Sequence, residues 1–204
     1  MGRRNDHTRE EIREAAIQAA QLCIQQDGIQ GINARHIAQD IGYAVGTLYQ
    51  LFKNMDLLIL AVNLRTLKAL EQHVLAACNS TLSAQENMQQ MALAYVDFAL
   101  HNTPSWQAVF AHQLKDEQDM PQAYQEQRLR LFTLVEQQFK AAFPDMDAQQ
   151  VSLETRALWA GIHGICSLTL SHKLHDNEMT LNDIAHTLIA HFLQPESNQQ
   201  GEKS

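Results

Sequence analysis

Helix-start signals recur along the whole chain and constrain its fold more than any other feature. Thr8 with Glu11, Ser83 with Glu86, Asp147 with Gln150 and Thr180 with Asp183 each place an oxygen-bearing side chain three residues before a polar partner. Such a side chain accepts from amides that a first helical turn leaves without an internal partner, and the residue three positions on returns the bond. Apolar residues at helical spacing follow each signal, as Ile12, Ala16, Ala19, Ala20 and Cys23 follow Thr8. Only 8 Gly and 4 Pro interrupt 204 residues, and no run alternates as a strand would. The pattern predicts an all-α fold of about nine helices.

The punctuation places helices at 8–26, 34–41, 45–51 and 55–77, and then from Ser83 to about His101. Gly28 should close the first in the left-handed conformation, and Gly42 the second. Asn33 and Asn54 are expected to cap the second and fourth. A short helix should have Pro104 at its first position and run through Trp106, Phe110 and Leu114. Pro121 opens the next, which Phe143-Pro144 ends. The last two run from Asp147 to about His172 and from Thr180 to near Gln194. Residues 115–120 read as a charged loop, and 197–204 as a disordered polar tail. The organisation expected is a three-helix N-terminal domain over 1–53, a helical C-terminal domain over 54–196 joined through the fourth helix, and the tail.

Charge is unevenly spread. The net charge is −8, yet residues 1–53 carry six basic and six acidic side chains, and residues 54–204 carry nine and seventeen. The chain as a whole is unsuited to non-specific nucleic-acid binding, and any phosphate contact belongs in its first quarter. Cys23, Cys78 and Cys166 are odd in number and lie in apolar helical stretches, so they read as reduced core thiols. No apolar run follows Met1-Gly2-Arg3-Arg4-Asn5-Asp6-His7, which excludes a signal peptide there, and Asp6 breaks the myristoylation pattern. The most apolar stretch, 157–170, contains His163 and is shorter than the roughly 20 residues of a membrane span. A cytoplasmic protein is expected.

Residues 33–53 carry the functional signal. Two short helices about a tight Gly turn, packed on a longer first helix, make a helix-turn-helix. Ile37, Ala38, Ile41, Leu48 and Phe52 are expected inside. Arg35, Ala44, Val45, Gly46, Thr47, Tyr49 and Gln50 are left at or near the surface, with Lys53 at the start of the next helix. Ala44 and Gly46 are small enough for close approach to a phosphate backbone. Thr47, Tyr49 and Lys53 offer phosphate donors, while Gln50 suits adenine and Arg35 guanine.

The run Gly42-Tyr43-Ala44-Val45-Gly46-Thr47-Leu48-Tyr49-Gln50-Leu51-Phe52-Lys53-Asn54, after Asn33-Ala34-Arg35-His36-Ile37-Ala38, resembles the DNA-binding domain of TetR-family transcriptional regulators. The resemblance covers about residues 8–65. It departs from the family pattern at Ala44, where Ser or Thr usually caps the recognition helix, at Tyr43 and at Leu51. It implies a regulator, most often a repressor, that binds a palindromic double-stranded operator as a homodimer and leaves it when a small apolar or amphipathic effector binds. By resemblance, Arg35, Val45, Thr47 and Gln50 stand near bases or backbone, and Tyr49 and Lys53 on phosphates. Trp159-Ala160-Gly161-Ile162-His163-Gly164 resembles the tryptophan-histidine-glycine signature of one class of the family's C-terminal domains. Whether Arg3, Arg4 and Arg9 form an arm into the neighbouring minor groove stays open from sequence.

The resemblance also implies that the last two helices pair with those of a second copy. Ala157, Ala160, Gly161 and Gly164 are small residues at helical spacing. Trp159, Ile162, Ile165 and Leu168 surround them, and Leu188 and Phe192 supply the facing stripe. Met88, Met91, Tyr95, Phe98, Trp106, Phe110, Tyr124 and Phe132 are candidates to line an effector pocket, Met and aromatics being suited to an adaptable apolar site. His163 reads as a hydrogen-bonded buried histidine. His172, His175, His186 and His191 read as solvated faces, so no metal site and no cofactor are expected. The motifs that would mark an enzyme are missing: a Gly-rich phosphate loop, a Ser-His-Asp elbow or a nucleophilic Cys. The competing class is a helical carrier or scaffold, for which the surface set Thr47, Tyr49 and Lys53 has no use.

Overall fold

The computed structural model describes residues 7–114, 120–174 and 180–193. Among them are nine α-helices and one 3-10 turn, with no strand. These are α1 (Arg9–Asp27), the 3-10 turn (Ile29–Gly31), α2 (Ala34–Asp40), α3 (Val45–Phe52) and α4 (Met55–Ala77). There follow α5 (Ala84–His101), α6 (Thr103–Ala111), α7 (Gln122–Ala142), α8 (Ala148–Leu170) and α9 (Leu181–Phe192). The expected loop at 115–120, Met120 apart, and the expected tail at 197–204 lie outside the described residues. No single helix among the described residues is long and apolar enough to cross a membrane.

Local chemistry sets most helix starts. Reciprocal capping boxes open α1 at Thr8/Glu11 and α9 at Thr180/Asp183. Ser83 and Glu86 exchange the same pair of bonds before α5. Asn33 accepts from the Arg35 and His36 amides, Asn54 from Leu57 at 2.9 Å, and Asp147 from Gln150 at 2.8 Å. Each such cap is worth about 1 kcal/mol.

Four details differ from expectation. Gly28 closes α1 at φ 71° but ψ −173°, outside the left-handed helical region, and the 3-10 turn follows it. Thr103, not Pro104, is the first residue of α6, and Pro104 takes the second position, where a missing N–H is equally harmless. α6 stops at Ala111, short of Leu114, because His112 turns extended. α8 stops at Leu170, before His172. There Lys173 N–H reaches back to the Leu168 carbonyl and His172 N–H to Thr169, with His172 at φ 55°. That is a Schellman closure in which histidine takes the place usual for glycine.

The chain gathers into two compact units, one of Met1–Gln72 with His101–Arg130 and one of His73–Leu100 with Leu131–Ser204. In the first, Ala16, Ile17, Ala20, Cys23 and Ile24 of α1 form one core with Ile37, Ala38, Leu48, Phe52, Leu58, Val62 and Ala108. Each large aliphatic side chain buried this way contributes roughly 1.5–3 kcal/mol. Polar ties reinforce this core. Fully buried Asn63 donates to the Ala108 carbonyl at 3.2 Å, which also accepts from the His112 amide at 3.3 Å. Glu14 pairs with Arg65.

The second unit buries Met88, Met91, Val96 and Phe98 of α5, Phe139 of α7, Val151, Leu158, Ile162, Ile165 and Cys166 of α8, and Ala185 and Ile189 of α9. α8 and α9 pack closely. A methyl group on Gly161 would come within 2.6 Å of a Leu188 methyl, so this contact uses the missing side chain. The cysteines are free, and burial raises all three thiols, Cys166 to about 12. Cys23 and Cys166 are core groups as expected, whereas Cys78 is only partly buried, near the end of α4.

Candidate nucleic-acid interface

The turn between α2 and α3 is set by backbone geometry. Tyr43 N–H bonds to the Ala38 carbonyl at 2.9 Å and Gly42 N–H to Gln39 at 3.0 Å. Gly42 sits at φ 76° with open space around it. Glycine is therefore required by conformation, not by crowding. Ala44 is the N-cap of α3 and makes no side-chain capping bond.

α3 divides cleanly by face. Leu48 and Phe52 are buried, and Val45 and Leu51 pack partly buried against the same core. Ile41, expected inside, is also only partly buried. Ala44, Gly46, Tyr49, Gln50 and Lys53 are exposed and Thr47 half-buried. Positions 46, 49, 50 and 53 follow the i, i+3, i+4, i+7 pattern of one helical face. Tyr49 is 48% exposed, so its ring is not absorbed by the core. Arg35 is exposed on the first turn of α2. Val45 and Thr47 are thus the partly buried members of the predicted set.

Two members of the exposed face are placed against the grain of the fold. Gly46 lies inside a helix, where glycine costs about 1 kcal/mol relative to alanine, and nothing lies within 4 Å of where its side chain would be. The fold has no use for the glycine there. Lys53 has φ 65° and ψ −47°, and the Asn54 amide bonds to the Phe52 carbonyl at 2.7 Å. Lys53 is therefore the centre of a γ-turn of the strained, positive-φ form. Nothing in the residue type signals this conformation.

Two arginines of α1 hold the end of α3, a link that sequence reading missed. Arg9 donates from Nη2 to the Gln50 carbonyl at 3.0 Å, and the Arg13 guanidinium lies 5.1 Å from the centre of the Phe52 ring. The first contact joins residues 41 apart, a separation at which local pattern carries no signal. Arg9 is in α1, and Arg3 and Arg4 lie outside the described residues.

In the second unit, Ile162 and Ile165 of the predicted pairing set are buried, while Gly161 is filled by Leu188. Ala157, Ala160 and Leu168 are exposed, and Gly164, Leu188 and Phe192 are half-exposed. With Leu153, 56% exposed, residues 153, 157, 160, 164 and 168 form one apolar outward stripe on α8. Trp159 stacks on His163 at 5.2 Å and meets Phe132 edge-on at 5.6 Å. His163 bonds through Nδ1 to the Tyr95 hydroxyl at 3.0 Å and through Nε2 to Ser167 at 3.4 Å. Burial holds its pKa below the ordinary value, so the ring is neutral near pH 7.

The predicted pocket residues divide between the units. Met88, Met91, Tyr95 and Phe98 are buried in the second, with Phe132 half-buried there. Trp106, Phe110 and Tyr124 belong to the first, where Trp106 and Phe110 lie 5.1 Å apart and Phe110 is partly exposed. Among the described residues no three His, Cys, Asp or Glu side chains gather as a metal site. His172, His186 and His191 are exposed, and His175 lies outside the described residues.

Known proteins share this architecture. A protein of unknown function from Rhodococcus sp. RHA1 superposes with a TM-score of 0.71 at 20% identity, covering 94% of this chain and 97% of its own. The TetR family transcriptional regulator PfmR from Thermus thermophilus gives 0.63 at 16%, covering 87% and 96%. RolR, solved with resorcinol, gives 0.66 at 15%, covering 91% and 87%. These likenesses establish the fold of TetR-family regulators. No curated protein sequence matches the chain. Residues 88–192, just over half of the chain, match the profile described as "Tetracyclin repressor-like, C-terminal domain". The chain belongs to the tetracycline-repressor-like, or TetR, family.

Proposed function

We propose that this chain is a DNA-binding transcriptional regulator, a cytoplasmic repressor that binds a palindromic operator as a homodimer and is released by a small effector. The exposed face of α3 carries the reading. A helical glycine with no neighbour, an exposed tyrosine and a lysine in a strained turn are costs to the fold that contact with a DNA backbone would explain. Arg35 and Gln50 would read base edges, with Val45 partly buried beside them. Ala44, Gly46, Thr47, Tyr49 and Lys53 would contact or closely approach phosphates. One such helix spans too few base pairs for specificity, whereas two related by a two-fold axis read a palindrome.

The apolar stripe on α8 and the half-exposed Leu188 and Phe192 of α9 supply the surface for the second copy. Stacking of Trp159 on His163 supports reading this segment as the tryptophan-histidine-glycine signature. The effector would be held in the second unit, where Met88, Met91, Phe98 and Phe132 are apolar and Tyr95, His163 and Ser167 offer hydrogen bonds. RolR was solved with resorcinol, and a small phenol is a chemistry that such a lining suits.

Fluorescence anisotropy on a duplex selected by the protein from a randomised library tests the DNA reading. Lys53→Ala should weaken binding to all duplexes and reduce the salt slope by about one. Arg35→Ala should relax preference at one base position per half-site. Wild-type protein that selects no sequence would overturn the reading.

A further inference from the structure

We propose that Arg9 is a positioning residue for DNA recognition, acting through the recognition helix and not on the DNA itself. The inference rests on the DNA-binding reading above. Arg9 is the first residue of α1. A cation there faces the positive end of the α1 dipole, where it is unfavourable. The Thr8/Glu11 capping box already satisfies that end, so α1 gains nothing from the arginine. α3 does gain. The Gln50 carbonyl belongs to the last turn of α3, where the Lys53 amide goes to Tyr49 and the Asn54 amide, which would continue the helix onto Gln50, goes to Phe52. Arg9 donates to it at 3.0 Å and puts a positive charge at the negative end of the α3 dipole.

Arg13, one turn along α1, lies over Phe52 two residues beyond Gln50. One arginine grips the backbone of the last α3 turn and the other covers its buried ring. Together they fix both the advance of α3 along its own axis and its rotation. Gln50 is where this matters most, because its side chain is exposed while its carbonyl is held by Arg9. Base-edge hydrogen bonds tolerate little displacement, whereas phosphate contacts by flexible side chains tolerate more. The clamp therefore governs discrimination between sequences more than general affinity.

The experiment compares wild type, Arg9→Ala and Arg9→Lys on the selected duplex and on a random duplex, over a range of salt concentrations. Arg9→Ala should lose about three- to tenfold in affinity for the selected duplex, the scale of one partly exposed charged hydrogen bond, and much less for the random one. Its salt slope should equal that of wild type, and Arg9→Lys should recover part of the loss. A fall of about one in the slope, with equal loss on both duplexes, would make Arg9 a phosphate contact and overturn the proposal. Equal affinities for wild type and Arg9→Ala would also overturn it. Thermal unfolding of Arg9→Ala separates positioning from instability, because a variant still folded at the assay temperature must show the loss of discrimination. A wild-type protein that selects no duplex would remove the underlying reading, and this proposal with it.

Discussion

The outward faces of α3 and α8 offer a direct comparison. Each belongs to a helix whose other side is buried in its own unit, and each carries glycine. On α3 the exposed positions are glycine, tyrosine, glutamine and lysine, with a half-buried threonine between them. Along the α8 stripe they are leucine, two alanines and leucine, with a half-exposed glycine among them. The outward glycines Gly46 and Gly164 both face empty space, whereas Gly161, on the side of α8 that meets α9, faces a Leu188 methyl. Exposed polar side chains suit a wet, charged partner, and a continuous apolar stripe suits a partner like itself. The difference separates residues kept for the fold from residues kept for something outside it.

Changing the sign of the apolar face should have the largest effect. In a two-fold interface Leu168→Glu introduces the charge twice, and an unpaired buried carboxylate costs roughly 3 kcal/mol or more. On the proposed dimer reading, sedimentation equilibrium should show a dimer for the native chain and a monomer for Leu168→Glu. A native-like dimer would mean that α8 does not form the interface.

Lys53→Gly tests whether strain and function meet at one residue. Glycine adopts the γ-turn without the clash that a β-carbon makes, so the variant should gain about 1 kcal/mol of stability. It should bind the selected duplex more weakly, with a smaller salt slope. A less stable variant would show that the lysine side chain, and not the backbone, governs this turn.

The glycine pair sharpens the comparison at a smaller scale. Gly46→Ala should stabilise the fold by up to about 1 kcal/mol, because alanine is the better helix former and the space is open, while weakening DNA binding. Gly161→Ala has the same propensity gain but must displace Leu188, so its net stability change should be smaller or reversed. Chemical denaturation of both variants checks this, and identical gains would erase the contrast.

The smallest expected effect is on pH dependence. Burial lowers the pKa of His163, and at His112 burial outweighs the pull of Asp56. Both folded-state values lie below the ordinary 6.5. The unfolded chain therefore takes up protons first as pH falls. The stability tied to the neutral rings is complete above about pH 6.5 and is lost as pH drops toward the folded-state values. The unfolding midpoint should fall between about pH 7.5 and pH 5.5, and His163→Gln should reduce the fall. An equal fall in the variant would assign the effect elsewhere.

What was legible in the sequence followed how local the chemistry is. Helix starts at Thr8, Asn33, Ser83, Asp147 and Thr180 were legible because cap and partner lie within three residues. So was the sorting of Leu48 and Phe52 from Tyr49 and Gln50, which needs only helical periodicity. The hold of Arg9 on Gln50 was not, since nothing at either residue points to the other. Nor was the γ-turn at Lys53, because lysine carries no signal for positive φ. The passage of α4 and α7 from one unit to the other leaves no mark, as each helix keeps its period through the change. His172 in a glycine-like position hid the end of α8 for the same reason that Lys53 hid its turn.

The open space around Gly46 has a consequence for how such a protein changes over generations. Because no neighbour constrains that position, and Tyr49 and Gln50 beside it are also turned outward, this strip of α3 can accept new side chains without repacking the core beneath it. On the DNA-binding reading, substitutions at Gln50 would shift base preference and those at Gly46 or Tyr49 would shift affinity, in each case while the scaffold stays folded. The feature that makes the helix locally weaker leaves the fold indifferent to which side chain stands there.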